Sequence, residues 1–224
     1  MSAGRTLATA ASAAAIILAM AAPGQAATVA TTPCVPYVSG IKNMPLAVSG
    51  FTPGSLVTIK SAPKGSMTPE YLASGTADPA GNFATTVYPP SFNPFSRNLQ
   101  TFGLFATDNV NPALVAAAVY QQVKPGYTTN PSTGKPTRSA IHTVRGFPTG
   151  KNTYLHFRFQ GATKRNVKLG KTKGACGIVS KRLPLLPTRS RPGTWTVYVD
   201  QAASYSRSTQ PQLKYSFVIT RTFG

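Results

Sequence analysis

The chain has 224 residues, room for one large domain or two of about a hundred, and its 42% hydrophobic content is that of a packed protein rather than a disordered one. Its charge is lopsided: 23 Lys and Arg stand against Glu70, Asp78, Asp108 and Asp200, giving +19, and His142 and His156 are the two histidines. Paired carboxylates, histidine relays and oxygen-rich metal cages draw on residue types this chain nearly lacks, which argues against hydrolase or metalloenzyme chemistry, and neither a metal nor a cofactor is expected.

Residues 1–27 read as a secretory signal. Arg5 precedes an apolar run over residues 7–22, Pro23-Gly24 breaks it, and small residues place cleavage after Ala26 or Ala27. The run is shorter than a membrane span and no later stretch approaches that length, so no transmembrane anchor is expected after removal of the signal. A secreted or cell-wall-associated location follows. Export would put Cys34 and Cys176 in an oxidising compartment, where the simplest arrangement is a mutual disulfide; two buried thiols or a bridge to another molecule are the alternatives.

The sequence then repeats. Gly50-Phe51-Thr52-Pro53-Gly54 returns as Gly146-Phe147-Pro148-Thr149-Gly150, 96 positions on, and Gly81 and Gly177 are again 96 apart. Ser96-Arg97 answers Ser190-Arg191. The apolar stretch ending at Asp108 answers the one ending at Asp200, which suggests equivalent strand ends whose aspartates accept turn hydrogen bonds. Four anchors in one order predict two copies of one module, residues 33–123 and 138–224, joined by a Gly-, Pro- and Thr-rich linker over residues 124–137.

Within each copy the pattern is that of strands. Val57-Thr58-Ile59-Lys60 and Leu155-His156-Phe157-Arg158-Phe159 alternate apolar with polar residues, as do Trp195, Val197 and Val199, and later Leu213, Tyr215, Phe217 and Ile219. Asp78-Pro79-Ala80-Gly81-Asn82 has turn chemistry. The alanine run over residues 113–118 is compatible with a helix or a strand. Short strands with frequent turns in a module of about ninety residues predict an all-β fold of two tandem β-sandwiches.

Gly50-Phe51-Thr52-Pro53-Gly54, the alternating strand after it and Ala77-Asp78-Pro79-Ala80-Gly81-Asn82-Phe83 resemble bacterial immunoglobulin-like surface modules over about 60 residues of the first copy. The chain as a whole resembles exported proteins of high-GC Gram-positive bacteria. This resemblance implies an immunoglobulin-like sandwich and no particular chemistry. The second copy departs from the motif, with Lys173-Gly174-Ala175-Cys176-Gly177 where the first has Asp-x-x-Gly.

Charge separates the two copies. Residues 28–125 hold five cations and three acids, +2, whereas residues 138–224 hold sixteen cations and Asp200, +15. Nine of those cations, Lys164, Arg165, Lys168, Lys171, Lys173, Lys181, Arg182, Arg189 and Arg191, fall in the 28 residues 164–191 without an acid. They form the candidate polyanion-binding set, with wall teichoic or teichuronic acids, anionic headgroups or extracellular DNA as possible partners and mere solubility as the competing reading. Sequence-specific nucleic-acid binding is not expected, because no basic helix is predicted. Tyr154, His156 and Arg158 share an outward phase, as a solvated face or a small sugar-contact patch, while Trp195 is phased inward as core. No nucleophile, base and orienting group come together, no Gly-x-Ser-x-Gly elbow occurs, and the expectation is a non-enzymatic binding protein, with a purely structural or protein-interaction module as the alternative.

Overall fold

A computed structural model describes residues 26–92 and 98–220. The predicted signal, apart from Ala26 and Ala27, lies outside these residues, as do the repeat anchors Ser96 and Arg97, Pro94 and Arg221. Among the described residues every regular element is a strand. In the N-terminal half these are β1 (Thr28–Ala30), β2 (Cys34–Pro36), β3 (Met44–Ser49), β4 (Leu56–Pro63), β5 (Glu70–Thr76), β6 (Phe83–Val87), β7 (Leu99–Asp108) and β8 (Val115–Val123). The C-terminal half contributes β9 (Gly126–Asn130), β10 (Ser139–Arg145), β11 (Asn152–Phe159), β12 (Ala162–Lys171), β13 (Val179–Pro184), β14 (Gly193–Asp200) and β15 (Leu213–Ile219).

Four sheets result, two from each half. The N-terminal half has a three-stranded sheet β1-β3-β6 and a five-stranded sheet β2-β8-β7-β4-β5; the C-terminal half has β9-β10-β13 and β15-β14-β11-β12. In each half the two sheets share one hydrophobic cluster. Met44, Leu46 and Val48 face Ile59, Phe102 and Leu104 in the first, and Val144 and Val179 face Leu155, Phe157, Trp195 and Val197 in the second. Alternation explains this directly: successive strand residues point to opposite faces, and β3 reads buried–exposed along Met44 to Val48.

Strand for strand, β9, β10, β11, β12, β13, β14 and β15 repeat the pairing scheme of β1, β3, β4, β5, β6, β7 and β8. The glycine anchors explain the spacing. Gly81 and Gly177 both have positive φ, 78° and 53°, and each lies so close to a backbone carbonyl, of Phe51 and Phe147 respectively, that a Cβ would overlap it. The loop hydrogen bonds also match: Gly54 N–H donates to Ala77 O and Gly150 N–H to Thr172 O, both at 3.0 Å.

Several expectations need correction. Residues 126–130, expected within the linker, form β9 and pair antiparallel with β10, because Tyr127, Thr128 and Thr129 carry a short strand pattern between the Gly and Pro residues that mask it. Residues 28–30, ahead of the expected module start, form β1 on β3. Of the two conformations open to the alanine run, the structure has the strand: it enters β8, where pairing with β7 overrides alanine's helical preference. Asp108 and Asp200 are not equivalent either. Aligning β4 with β11 and β7 with β14 by their ladders places Asp200 at the position of Thr107, so the two carboxylates point to opposite faces of their sheets.

The halves are covalently joined. Cys34 in β2 and Cys176 in the β12–β13 connection form a disulfide with their Cα atoms 5.2 Å apart. Of the three arrangements open to the cysteines, the structure has the mutual bond.

Candidate functional site

The nine clustered cations are all exposed, and the topology gathers seven of them. β12 is the outer strand of the four-stranded sheet and β13 the outer strand of the three-stranded sheet, so the two run along the same border of the C-terminal half. Lys164, Arg165, Lys168 and Lys171 ride on β12, Lys173 sits in the connection, and Lys181 and Arg182 ride on β13. One contact ties the strands, with Lys181 Nζ donating to the Lys168 carbonyl at 2.9 Å. Arg189 and Arg191 lie outside both strands, in the segment that leads into β14.

No acid of residues 138–224 is exposed to offset this border. Asp200, the sole acid of residues 138–224, is 0% exposed. Its Oδ1 accepts from His156 Nε2 and Ala202 N–H, both at 2.9 Å, and its Oδ2 accepts from Gln212 Nε2 at 2.9 Å. Cations spaced along two adjacent edge strands lie within about one Debye length, ~8 Å at physiological salt, of their neighbours, so their repulsion is only partly screened. A bound polyanion would relieve it.

No carboxylate lies near His156 in sequence. The β11–β14 register brings Asp200 beside it, and the ring is fully buried on the outward face of the sheet. Its Nδ1 lies 2.8 Å from Asn166 Oδ1 on β12. Cover comes from residues 201–212, twelve residues between β14 and β15 where the first half has six, 109–114. Tyr205 from that segment packs edge-on against His156 and against Tyr198, and the Arg158 guanidinium stacks 4.0 Å from the Tyr205 ring while donating to the Gly161 carbonyl. The outward phase of Tyr154, His156 and Arg158 is therefore as expected, but the face is roofed rather than solvated. The polar groups of the His–Asp pair are taken up internally.

Two other residues are structural. Trp195 is 1% exposed, packs at a tilt against Phe159 and donates its Nε1–H to the Arg191 carbonyl at 3.0 Å. Asp108 closes the corner between β7 and β8: Oδ2 accepts from Thr52 N–H and Ser55 Oγ, and Oδ1 accepts from Val110 and Asn111 N–H. Burial alone would raise this carboxyl, but the backbone donors of Asn111, Thr52 and Val110 outweigh it and hold it well below the usual carboxylate range.

A second surface feature was missed by sequence reasoning. A groove of about 520 Å³ opens between β9 and β15, on the border opposite the cations, lined by Tyr127, Thr129, Leu186, Tyr215, Phe217 and Ile219. Tyr215 Oη bridges it, accepting from Tyr127 N–H at 2.9 Å. The half-burial of Tyr215 and Phe217 depends on what does not pair with β15, and that is invisible in a local pattern.

No protein-family model matches the chain, and no curated protein matches it in sequence. Among solved structures it is similar to Salmonella alpha-2-macroglobulin at 9% identity and TM-score 0.35, with 87% of this chain and 16% of that one covered. A tetra-tandem repeat from the extending region of a large adhesion protein matches at 14% identity and TM-score 0.28, covering 86% of this chain and 48% of the other. The CupB2 chaperone of Pseudomonas aeruginosa matches at 11% identity and TM-score 0.29, with 84% and 98% covered. The chain thus spans well under two thirds of the first two structures.

Proposed function

We propose that the chain is a secreted, non-enzymatic protein of two tandem immunoglobulin-like β-sandwich domains whose basic second domain binds an anionic cell-envelope polymer or surface. The observation that carries this reading is the shared border of β12 and β13, where seven exposed cations line up while the only acid of residues 138–224 is buried and already engaged. Such a row matches a repeating line of phosphates or carboxylates better than a compact ligand. Binding would proceed by counterion release and would be salt-sensitive. The disulfide and the absence, among the described residues, of a helix long and apolar enough to cross a membrane support an extracellular setting.

Chromatography on immobilised wall teichoic acid and on heparin tests the reading. Retention at low salt with a steep salt dependence is expected, and both should fall when Lys164, Arg165, Lys168, Lys171 and Lys173 are changed to Gln. Flow-through of the unaltered protein at low salt would end the proposal.

A further inference from the structure

We propose that the β9–β15 groove is a strand-acceptor site, which takes an extended apolar segment of a separate, acidic partner protein as a parallel strand on β15. The argument comes from the other half of the same molecule. There β2 crosses from the three-stranded sheet and adds to β8 in parallel, with Cys34, Val35 and Pro36 opposite Gln121, Gln122 and Val123. Gln121 N–H donates to the Pro33 carbonyl at 3.0 Å and Tyr37 N–H to the Val123 carbonyl at 2.7 Å. Val35 is 0% exposed and completes the core beside Tyr120.

The C-terminal half has the acceptor without the donor. The ladders equate Tyr120 with Phe217, Gln121 with Val218 and Val123 with Thr220. By that equivalence the Val218 N–H and the Thr220 carbonyl point out of the sheet edge, where no described strand meets them. Residues 131–138, the counterpart of the crossing segment, instead run beside residues 185–186: Leu186 N–H donates to Pro136 O at 2.9 Å and Leu185 N–H to Arg138 O at 2.8 Å. Phe217 is left half-buried where Tyr120 is 1% exposed, and Val218 is 64% exposed. An unpaired edge with an adjacent apolar slot is the geometry of strand addition, in which main-chain bonds give affinity and the inward side chain gives selectivity.

The occupant is argued from charge and covalent structure. A second copy of this chain would bring another +19, and its β2, the segment of the right shape, is tied by Cys34–Cys176. The segment the groove fits has a Val-sized residue at its centre and acidic flanks that suit a half carrying +15.

The test uses the oxidised protein and a synthetic peptide with the sequence of residues 31–38, Ser replacing the cysteine and two Asp residues added at each end. Saturable one-to-one binding by calorimetry is expected. It should weaken about tenfold or more with Val218→Pro, which removes the outward N–H, with Thr129→Trp, which fills the groove from β9 and leaves the sequence of β15 unchanged, and with Asp at the peptide's central position. Retention on heparin should be unchanged in both variants, which separates this site from the cationic border. No binding at millimolar peptide, binding indifferent to Thr129→Trp, or sedimentation showing that the protein dimerises through β15 would each overturn the proposal.

Discussion

His156 Nε2 lies 2.9 Å from Asp200 Oδ1 although 44 positions separate them, and neither side chain reaches solvent. The pair anchors the roof over the outward face of β11 and β14, because the same carboxylate also accepts from Ala202 and Gln212. Replacing Asp200 with Ala takes the acceptor from the buried His156 Nε2 and the half-buried Ala202 N–H, while Gln212 Nε2 keeps the Ser206 carbonyl. We expect a loss of about 3 kcal/mol in urea unfolding and faster tryptic cleavage at Arg207, within the segment that Asp200 holds down. Unchanged cleavage would mean that the roof is held by Tyr205 alone.

The paired glycines make an internal control. Gly81→Ala and Gly177→Ala should each cost about 2 kcal/mol or more, because both need positive φ and a Cβ there would strike the Phe51 or Phe147 carbonyl. Gly54 and Gly150 have φ of 76° and 80° with open space around them, so their Ala variants should cost about 1 kcal/mol, the conformational penalty alone. Thermal melts of the four variants check the ranking, and comparable losses in both halves are the expected signature of one repeated corner.

Breaking the disulfide should separate the halves before it unfolds them. The chain-entropy model gives a bond closing 142 positions about 5 kcal/mol, an upper figure when each half has its own core. Calorimetry of Cys34→Ser/Cys176→Ser should therefore resolve two transitions. A thiol assay on the unreduced, unfolded protein should find neither of these cysteines reactive.

Acid should weaken the fold in two stages. His142 is fully buried, its Nε2–H donates to the Pro184 carbonyl at 3.0 Å and its Nδ1 accepts from Tyr127 Oη at 2.7 Å. Burial lowers its pKa, with the Pro184 and Leu183 carbonyls opposing, so the folded state binds fewer protons than the unfolded one. Its contribution is complete above the unfolded value near 6.5 and declines as pH falls below it. Asp108, also depressed, contributes fully above its ordinary value of 3.8 and loses that contribution as pH falls further. Urea midpoints should drop between about pH 6.5 and 5, less so in His142→Gln, and again below about pH 4, less so in Asp108→Asn.

How much of this could be read from residues alone depended on locality. The alternating Leu155-His156-Phe157 pattern, the Gly-Phe-x-x-Gly corners and the inward phase of Trp195 are properties of a few neighbouring residues, and the strands follow them. Matching Asp108 to Asp200 failed because the β7–β14 correspondence is fixed by ladders to β4 and β11, and a slip of one residue turns a side chain to the other face. The His156–Asp200 pair and the β9–β15 groove arise from register and from a missing strand, which no window along the chain contains. The cations could be counted in advance, yet their alignment on one border needed the sheet order.

The position of Cys34–Cys176 also sets how the protein bears mechanical load. Tension applied at the two ends would enter at β1, pass through the sulfur bridge and leave by way of β13, β14 and β15. The 142-position span inside the bridge, roughly 470 Å if drawn straight, would carry no pull while the bond is intact. A thiol reductant would place that span in the line of force, so that further extension would draw on the unfolding of the two halves.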